Sequence, residues 1–151
     1  MSRPPPPCEP SATREVDLAV IVVDASAAID VLLDLAPHAN ALAARLRQES
    51  PNLSTLHLLD AEVGQVLRRY ARRGQVSETR ARAALDDLAD LPLIRYPHLP
   101  LVHRAFELRH NTTFYDALYL ALAEGLNAPL LTRDGALAHV PGHRATVEVV
   151  A

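Results

Sequence analysis

The sequence predicts an α/β fold in which helices cover both faces of a central parallel sheet. Three observations lead there. Short runs of β-branched and apolar residues alternate with longer segments whose apolar residues recur at helical spacing. Turn-forming residues separate nearly every pair of segments. The two clearest strand candidates each run into an acid, at Asp24 and at Asp134. A chain of 151 residues fits one domain, and 49% hydrophobic against 22% charged residues is enough for a real core.

Residues 1–16 form a leader with five of the twelve prolines in its first ten positions, so an extended, poorly ordered tail is expected. It has no apolar core segment of the secretory kind, and cytoplasm is the simplest location. The folded domain is expected over residues 17–151. Asp17–Val23 (DLAVIVV) reads as a strand. Ala25–Leu35 follows as a helix with Ala28, Val31, Leu32 and Leu35 on one face. A second helix runs from Pro37 to Gln48 with Leu42 and Leu46 as its stripe. After the break at Ser50-Pro51-Asn52, Thr55–Arg73 reads as one long helix stopped by Gly74. Ser77 caps a helix to Asp90. Leu91–Tyr96 is a strand and Pro100–His110 a helix. Asn111-Thr112-Thr113 caps a very apolar helix, Phe114–Gly125. Pro129–Thr132 is a buried strand, Gly135–His139 a short helix, and Ala145–Val150 the last strand.

Composition narrows the chemistry. All fifteen basic residues are arginine, so lysine-dependent mechanisms such as Schiff bases and phosphate-binding P-loops are excluded. Cys8 alone supports neither an internal disulfide nor a cysteine zinc site, and the seven histidines form no HExxH pattern. The longest apolar runs are far too short to span a bilayer. With a net charge of −3, any nucleic-acid contact must rest on local arginine clusters.

Four acids stand out. Asp24 and Asp134 follow strands, so a parallel sheet places both at its carboxyl edge, where ligands bind in such folds. Glu62 lies among Leu58, Leu59, Val63, Val66 and Leu67, and Asp116 opens the most apolar helix. Each has an ordinary alternative: helix capping for Asp24, a turn for Asp134, a solvated face for Glu62, the helix dipole for Asp116. Four such acids gathered at one edge suit a hard divalent cation and the hydrolysis of a phosphodiester by an activated water. A haloacid-dehalogenase-type phosphatase also begins with an acid after a strand. It needs a second Asp two residues on, where this chain has Ser26, and a lysine, which is absent.

VVDASAAID, AEVGQVLRR and TTFYDALYLALAEGLNAPLLTRD, in this order and spacing, closely resemble the PIN-domain ribonucleases, in particular the VapC toxins of toxin–antitoxin pairs. The resemblance covers about residues 18–150. It implies a PIN-like α/β/α sandwich and an Mg2+-dependent endoribonuclease, Mn2+ being able to replace Mg2+. Its four catalytic acids fall on Asp24, Glu62, Asp116 and Asp134, with Asp24 and Asp116 as metal ligands. Thr132 matches the family's small hydroxyl two residues before the last acid, and Ser26 stands either to orient Asp24 or to cap the helix. The resemblance further implies transfer or ribosomal RNA as substrate, a homodimer, and a VapB-type antitoxin through which alone DNA is contacted.

Arg69 and Arg73 lie seven and eleven residues after Glu62. That spacing returns them to the Glu62 face of one helix, where they serve either as phosphate contacts or as cations at the negative helix end. Phe114 and Tyr115 read as core or dimer-surface residues, with base stacking as the alternative. Asp30 and Asp34 read as a solvated helix face.

Overall fold

The computed structural model describes residues 19–49 and 52–150. The expected tail over residues 1–16, with Cys8, lies outside the described residues, as does the side chain of Leu46. Five strands form one sheet: β1 (Val20–Val23), β2 (Asn52–Leu56), β3 (Leu93–Tyr96), β4 (Leu130–Thr132) and β5 (Val147–Val149). Their order is β3-β2-β1-β4-β5 and every pairing is parallel. Six helices connect them: α1 (Ala25–Leu33), α2 (His38–Glu49), α3 (Leu58–Arg72), α4 (Glu78–Asp90), α5 (Val102–Glu107) and α6 (Phe114–Leu126). The chain builds outward from β1 to β2 and β3, then returns to the other side of β1 with β4 and β5. The strand order therefore reverses between β1 and β4, which opens a crevice at their carboxyl ends.

Local chemistry explains most boundaries. Ser77 accepts from the Arg80 amide at 3.1 Å and starts α4, and Thr113 accepts from the Asp116 amide at 3.2 Å and starts α6. Gly74, at a φ of 68°, follows the end of α3, and Asn127 closes α6 in the left-handed conformation. Seven consecutive residues of α6, Ala117–Ala123, are buried, because this helix lies against the middle of the sheet. Among the described residues no helix is long and apolar enough to cross a membrane.

The expected helix Thr55–Arg73 is two elements. Residues Asn52–Leu56 form β2, and α3 starts only at Leu58. Asn, Leu and Ser give this strand little local preference. Its backbone is held by pairing with β1 on one side and β3 on the other, and Thr55 Oγ1 donates to the Val23 carbonyl at 2.8 Å. Burial of Ser54, Thr55 and Leu56 would otherwise leave those peptide groups unpaired. The expected helix Pro100–His110 is likewise shorter, a 3-10 turn at Leu99–Leu101 leading into α5.

Candidate active site

Asp24 ends β1 and caps α1, so sheet and helix fix it together. Its side chain is buried, with Oδ1 accepting from the Ala27 amide at 3.0 Å and from Ser26 Oγ at 2.6 Å. Thr132 Oγ1, from the last residue of β4, donates to Oδ2. Ser26 Oγ in turn accepts from the Arg133 amide at 3.0 Å, and Thr132 Oγ1 accepts from the Asp134 amide at 3.0 Å. Ser26 thus contacts Asp24, while Asp24 itself caps the helix. The two strand ends at the topological switch are stitched together through one carboxylate and two hydroxyls.

The other three acids approach from separate elements. Asp116, in the first turn of α6, accepts from Thr113 Oγ1 at 2.8 Å. Glu62, one turn into α3, accepts from the Tyr119 phenol at 2.6 Å. Asp134 is more exposed and caps the 3-10 turn Gly135–His139 by accepting from the Ala136 amide at 2.9 Å. Burial pushes Asp24 up from the ordinary carboxylate range despite three hydrogen bonds, and the charge of Asp116 adds to this. Burial also raises Glu62, with Asp116 and Asp24 adding repulsion, and raises Asp116, with Asp134 adding repulsion. Asp24, Glu62 and Asp116 therefore lie within electrostatic reach of one another around the crevice, and Asp134 lies within reach of Asp116.

Several participants escape the sequence reading. Tyr119 is buried, and burial together with the Glu62 carboxylate pushes its phenol far up, which keeps it a donor. A tyrosine inside an apolar helix needs a partner for its hydroxyl, and that need was a usable signal. Asp30 corrects an expectation: only Asp34 is exposed, whereas the Asp30 side chain is 2% exposed. Arg133 Nη1 donates to Asp30 Oδ1 at 3.1 Å, and Nε stands 2.8 Å from Oδ2. This pair ties the segment between Thr132 and Asp134 onto α1. Nothing local marks it, since the partners are 103 positions apart.

Arg69 and Arg73, with Gln65, Arg68 and Arg72, line an open cavity of about 340 Å3 further along α3, whose walls include none of the four acids. A second cavity, about 420 Å3, is walled by Leu58, Ala61, Glu62, Gln65, Val66 and Tyr115, among others. Gln65 belongs to both and joins them.

Among the described residues no three His, Cys, Asp or Glu side chains form a ready cage for a metal. The donor set nonetheless fits Mg2+ or Mn2+. It is all carboxylate, its members raise one another's pKa, and Mg2+ needs only one or two carboxylates while keeping several waters. Asp24 and Asp116 could hold it, each being fixed by a neighbouring hydroxyl.

Comparison with known proteins agrees with this architecture. Residues 21–143 match the PIN domain family. Ribonuclease VapC1 of Mycobacterium tuberculosis is 48% identical over 130 residues, covering 85% of this chain and 96% of the relative. Among solved structures, PAE2754 from Pyrobaculum aerophilum aligns with a TM-score of 0.63 at 26% identity, covering 95% of this chain and 93% of that one. VapBC2 from Rickettsia felis, bound to a DNA fragment from its promoter, aligns with a TM-score of 0.66 at 13% identity. It covers 87% and 99% of the two chains and shows the shared fold.

Proposed function

This chain belongs to the PIN-domain family, in its VapC group, and from that premise we propose that it is a toxin acting as a divalent-metal-dependent endoribonuclease. The observation that carries this reading is the mutual repulsion linking Asp24, Glu62 and Asp116 at the switch point, all three raised by burial, with Asp134 acting on Asp116. The 48% identity to a relative named as a ribonuclease supports the same reading.

Mg2+, or Mn2+ in its place, supplies charge to the phosphate and acidifies a water when bound. Asp24 and Asp116 are its holders. Ser26, Thr132 and the Ala27 amide keep Asp24 in one rotamer, and Thr113 does the same for Asp116. Tyr119 donates to Glu62 Oε2 and leaves Oε1 as the oxygen it does not engage. With its pKa raised, Glu62 is the group suited to take a proton from an attacking water at that oxygen. Asp134 adds negative charge at the rim beside Asp116. Arg69 and Arg73 contact phosphates of the same strand beyond the cleavage point.

The substrate is structured RNA of the transfer or ribosomal class. A VapB-type antitoxin restrains the chain, provides any contact with DNA, and binds it as a homodimer. Purified protein incubated with cellular RNA tests the central claim. Cleavage is expected with Mg2+ and not with excess EDTA, and Asp24→Asn and Asp116→Asn each remove it by orders of magnitude while the circular dichroism spectrum is kept. Cleavage that persists in EDTA, or in either variant, refutes the reading.

A further inference from the structure

The acids account for one end of a longer feature. Tyr115 precedes Tyr119 by one helical turn, so both rings project from the α6 face that fronts Glu62. Tyr119 is buried beneath Glu62, whereas Tyr115 is 57% exposed. The cavity that its ring lines is also walled by Ala61, Glu62, Gln65 and Val66 of α3, with Glu62 and Gln65 lying between the two apolar residues around the helix. Beyond Gln65 comes the arginine-lined cavity, and Arg68, Arg69, Arg72 and Arg73 make no ion pair with a carboxylate among the described residues.

We propose that the slot lined by Tyr115 and by Leu58, Ala61, Gln65 and Val66 of α3 is a nucleobase subsite, in which one base of the RNA stacks on the Tyr115 ring while Gln65 reads its edge. The proposal rests on the ribonuclease reading and goes beyond it by naming what fills this cavity. The charge layout selects the occupant. At one end stand acids suited to a cation-bound phosphate, and at the other four arginines suited to phosphate directly. Between them is an apolar slot carrying a single exposed aromatic face. From Glu62 to Arg69 the helix rises ~10 Å. A single RNA strand meets all three environments at once, with backbone at both ends and an unstacked base between. The Gln65 amide offers a donor and an acceptor side by side, which suits the edge of a base and has no counterpart need in a purely apolar side chain. An acidic peptide that satisfied the arginines would carry its apolar side chains into the slot without using Gln65.

The test uses the full chain and a random-sequence single-stranded RNA library carrying 5-iodouridine. Irradiation of wild type is expected to crosslink RNA at Tyr115, located by peptide mass spectrometry. Tyr115→Ala is expected to abolish that crosslink and to weaken RNA binding roughly 5- to 150-fold. Tyr115→Phe keeps the ring and is expected to bind within twofold of wild type. Gln65→Leu is expected to change which base is enriched at the crosslinked position and to leave the melting temperature unaltered. RNA binding and cleavage by Tyr115→Ala equal to wild type overturn the slot while leaving the ribonuclease reading intact. So does a Tyr115→Ala variant that handles RNA normally and loses only capture of a co-expressed antitoxin. RNA that crosslinks at Tyr115 and is never cleaved leaves the slot standing and sinks the ribonuclease reading. RNA that is neither bound nor cleaved by wild type sinks both.

Discussion

Asp30 and Arg133 form an asymmetric pair, and the asymmetry makes a prediction. The carboxylate is buried and burial raises it against the pull of Arg133, whereas the Arg133 side chain is 38% exposed. Arg133→Ala strands a buried carboxylate and is expected to cost ~3–5 kcal/mol of stability. Asp30→Asn removes the buried charge and lets the guanidinium turn toward water, so its cost is nearer ~1–2 kcal/mol. Urea denaturation of the two variants measures the difference, and equal losses would contradict it. Because the Arg133 amide also donates to Ser26 Oγ, both variants are expected to lower the affinity for Mn2+ measured by titration calorimetry. At this scale the sequence singled out the acids as candidates, since their neighbours in the chain, strand ends and apolar helical faces, are local. It left Asp30 on a solvated face, because which side of α1 meets β4 depends on the partner strand.

The helix α3 carries two candidate roles, one toward each end. Its first turns bring Glu62 to the Tyr119 hydroxyl, and its last turn and C-cap bring Arg69 and Arg73 to the cavity beyond Gln65. Arg69 also lies over the Tyr70 ring, 5.8 Å from its centroid, which orders one of the cations. The double variant Arg69→Ala, Arg73→Ala is expected to bind RNA more weakly and with a shallower salt dependence. Loss of two single-strand phosphate contacts reduces the log–log slope by about 1.4. Filter binding from low to high salt reads this directly, and an unchanged slope removes both residues from the substrate path. Periodicity made the helical face of Glu62, Arg69 and Arg73 legible. It could not set where α3 begins, because a helical pattern extends smoothly back through Thr55, and only the neighbours β1 and β3 turn Asn52–Leu56 into strand.

For the molecule as a whole, the raised acids make stability depend on pH in an uncommon direction. Asp24, Asp30, Glu62 and Asp116 all lie above their ordinary values when folded. Between the ordinary and the raised values the folded state binds more protons than the unfolded state. These groups therefore favour folding at the lower pH and lose that contribution as pH rises through the raised values. Glu124 acts oppositely. The hydrogen bond from Arg104 holds it below its ordinary value, so its contribution is present at neutral pH and fades only in stronger acid. In EDTA the melting temperature is expected to climb as pH falls from neutrality toward mildly acidic conditions, then to drop in stronger acid. Asp24→Asn is expected to flatten the climb and to raise the melting temperature at neutral pH. Mn2+ is expected to relieve the same repulsion, and at one hundred times its dissociation constant to stabilise wild type by ~2.7 kcal/mol, with a much smaller shift in Asp24→Asn. Calorimetric scans over pH, with and without Mn2+, check each part, and a melting temperature that rises steadily toward neutrality would contradict the first.

The sequence by itself determined the fold class and the order of nearly all its elements, and it singled out the four acids as candidates, because hydrophobic period, capping residues and strand-end positions are written in stretches of a few residues. Only the tertiary structure decided that Asn52–Leu56 is a strand, that Asp30 is buried against Arg133, that Tyr119 holds Glu62, and that Tyr115 faces α3 across an open slot. Each of those depends on which distant segment comes to lie alongside. That is settled by pairing backbone groups and filling volume across the whole sheet, and no local pattern records it.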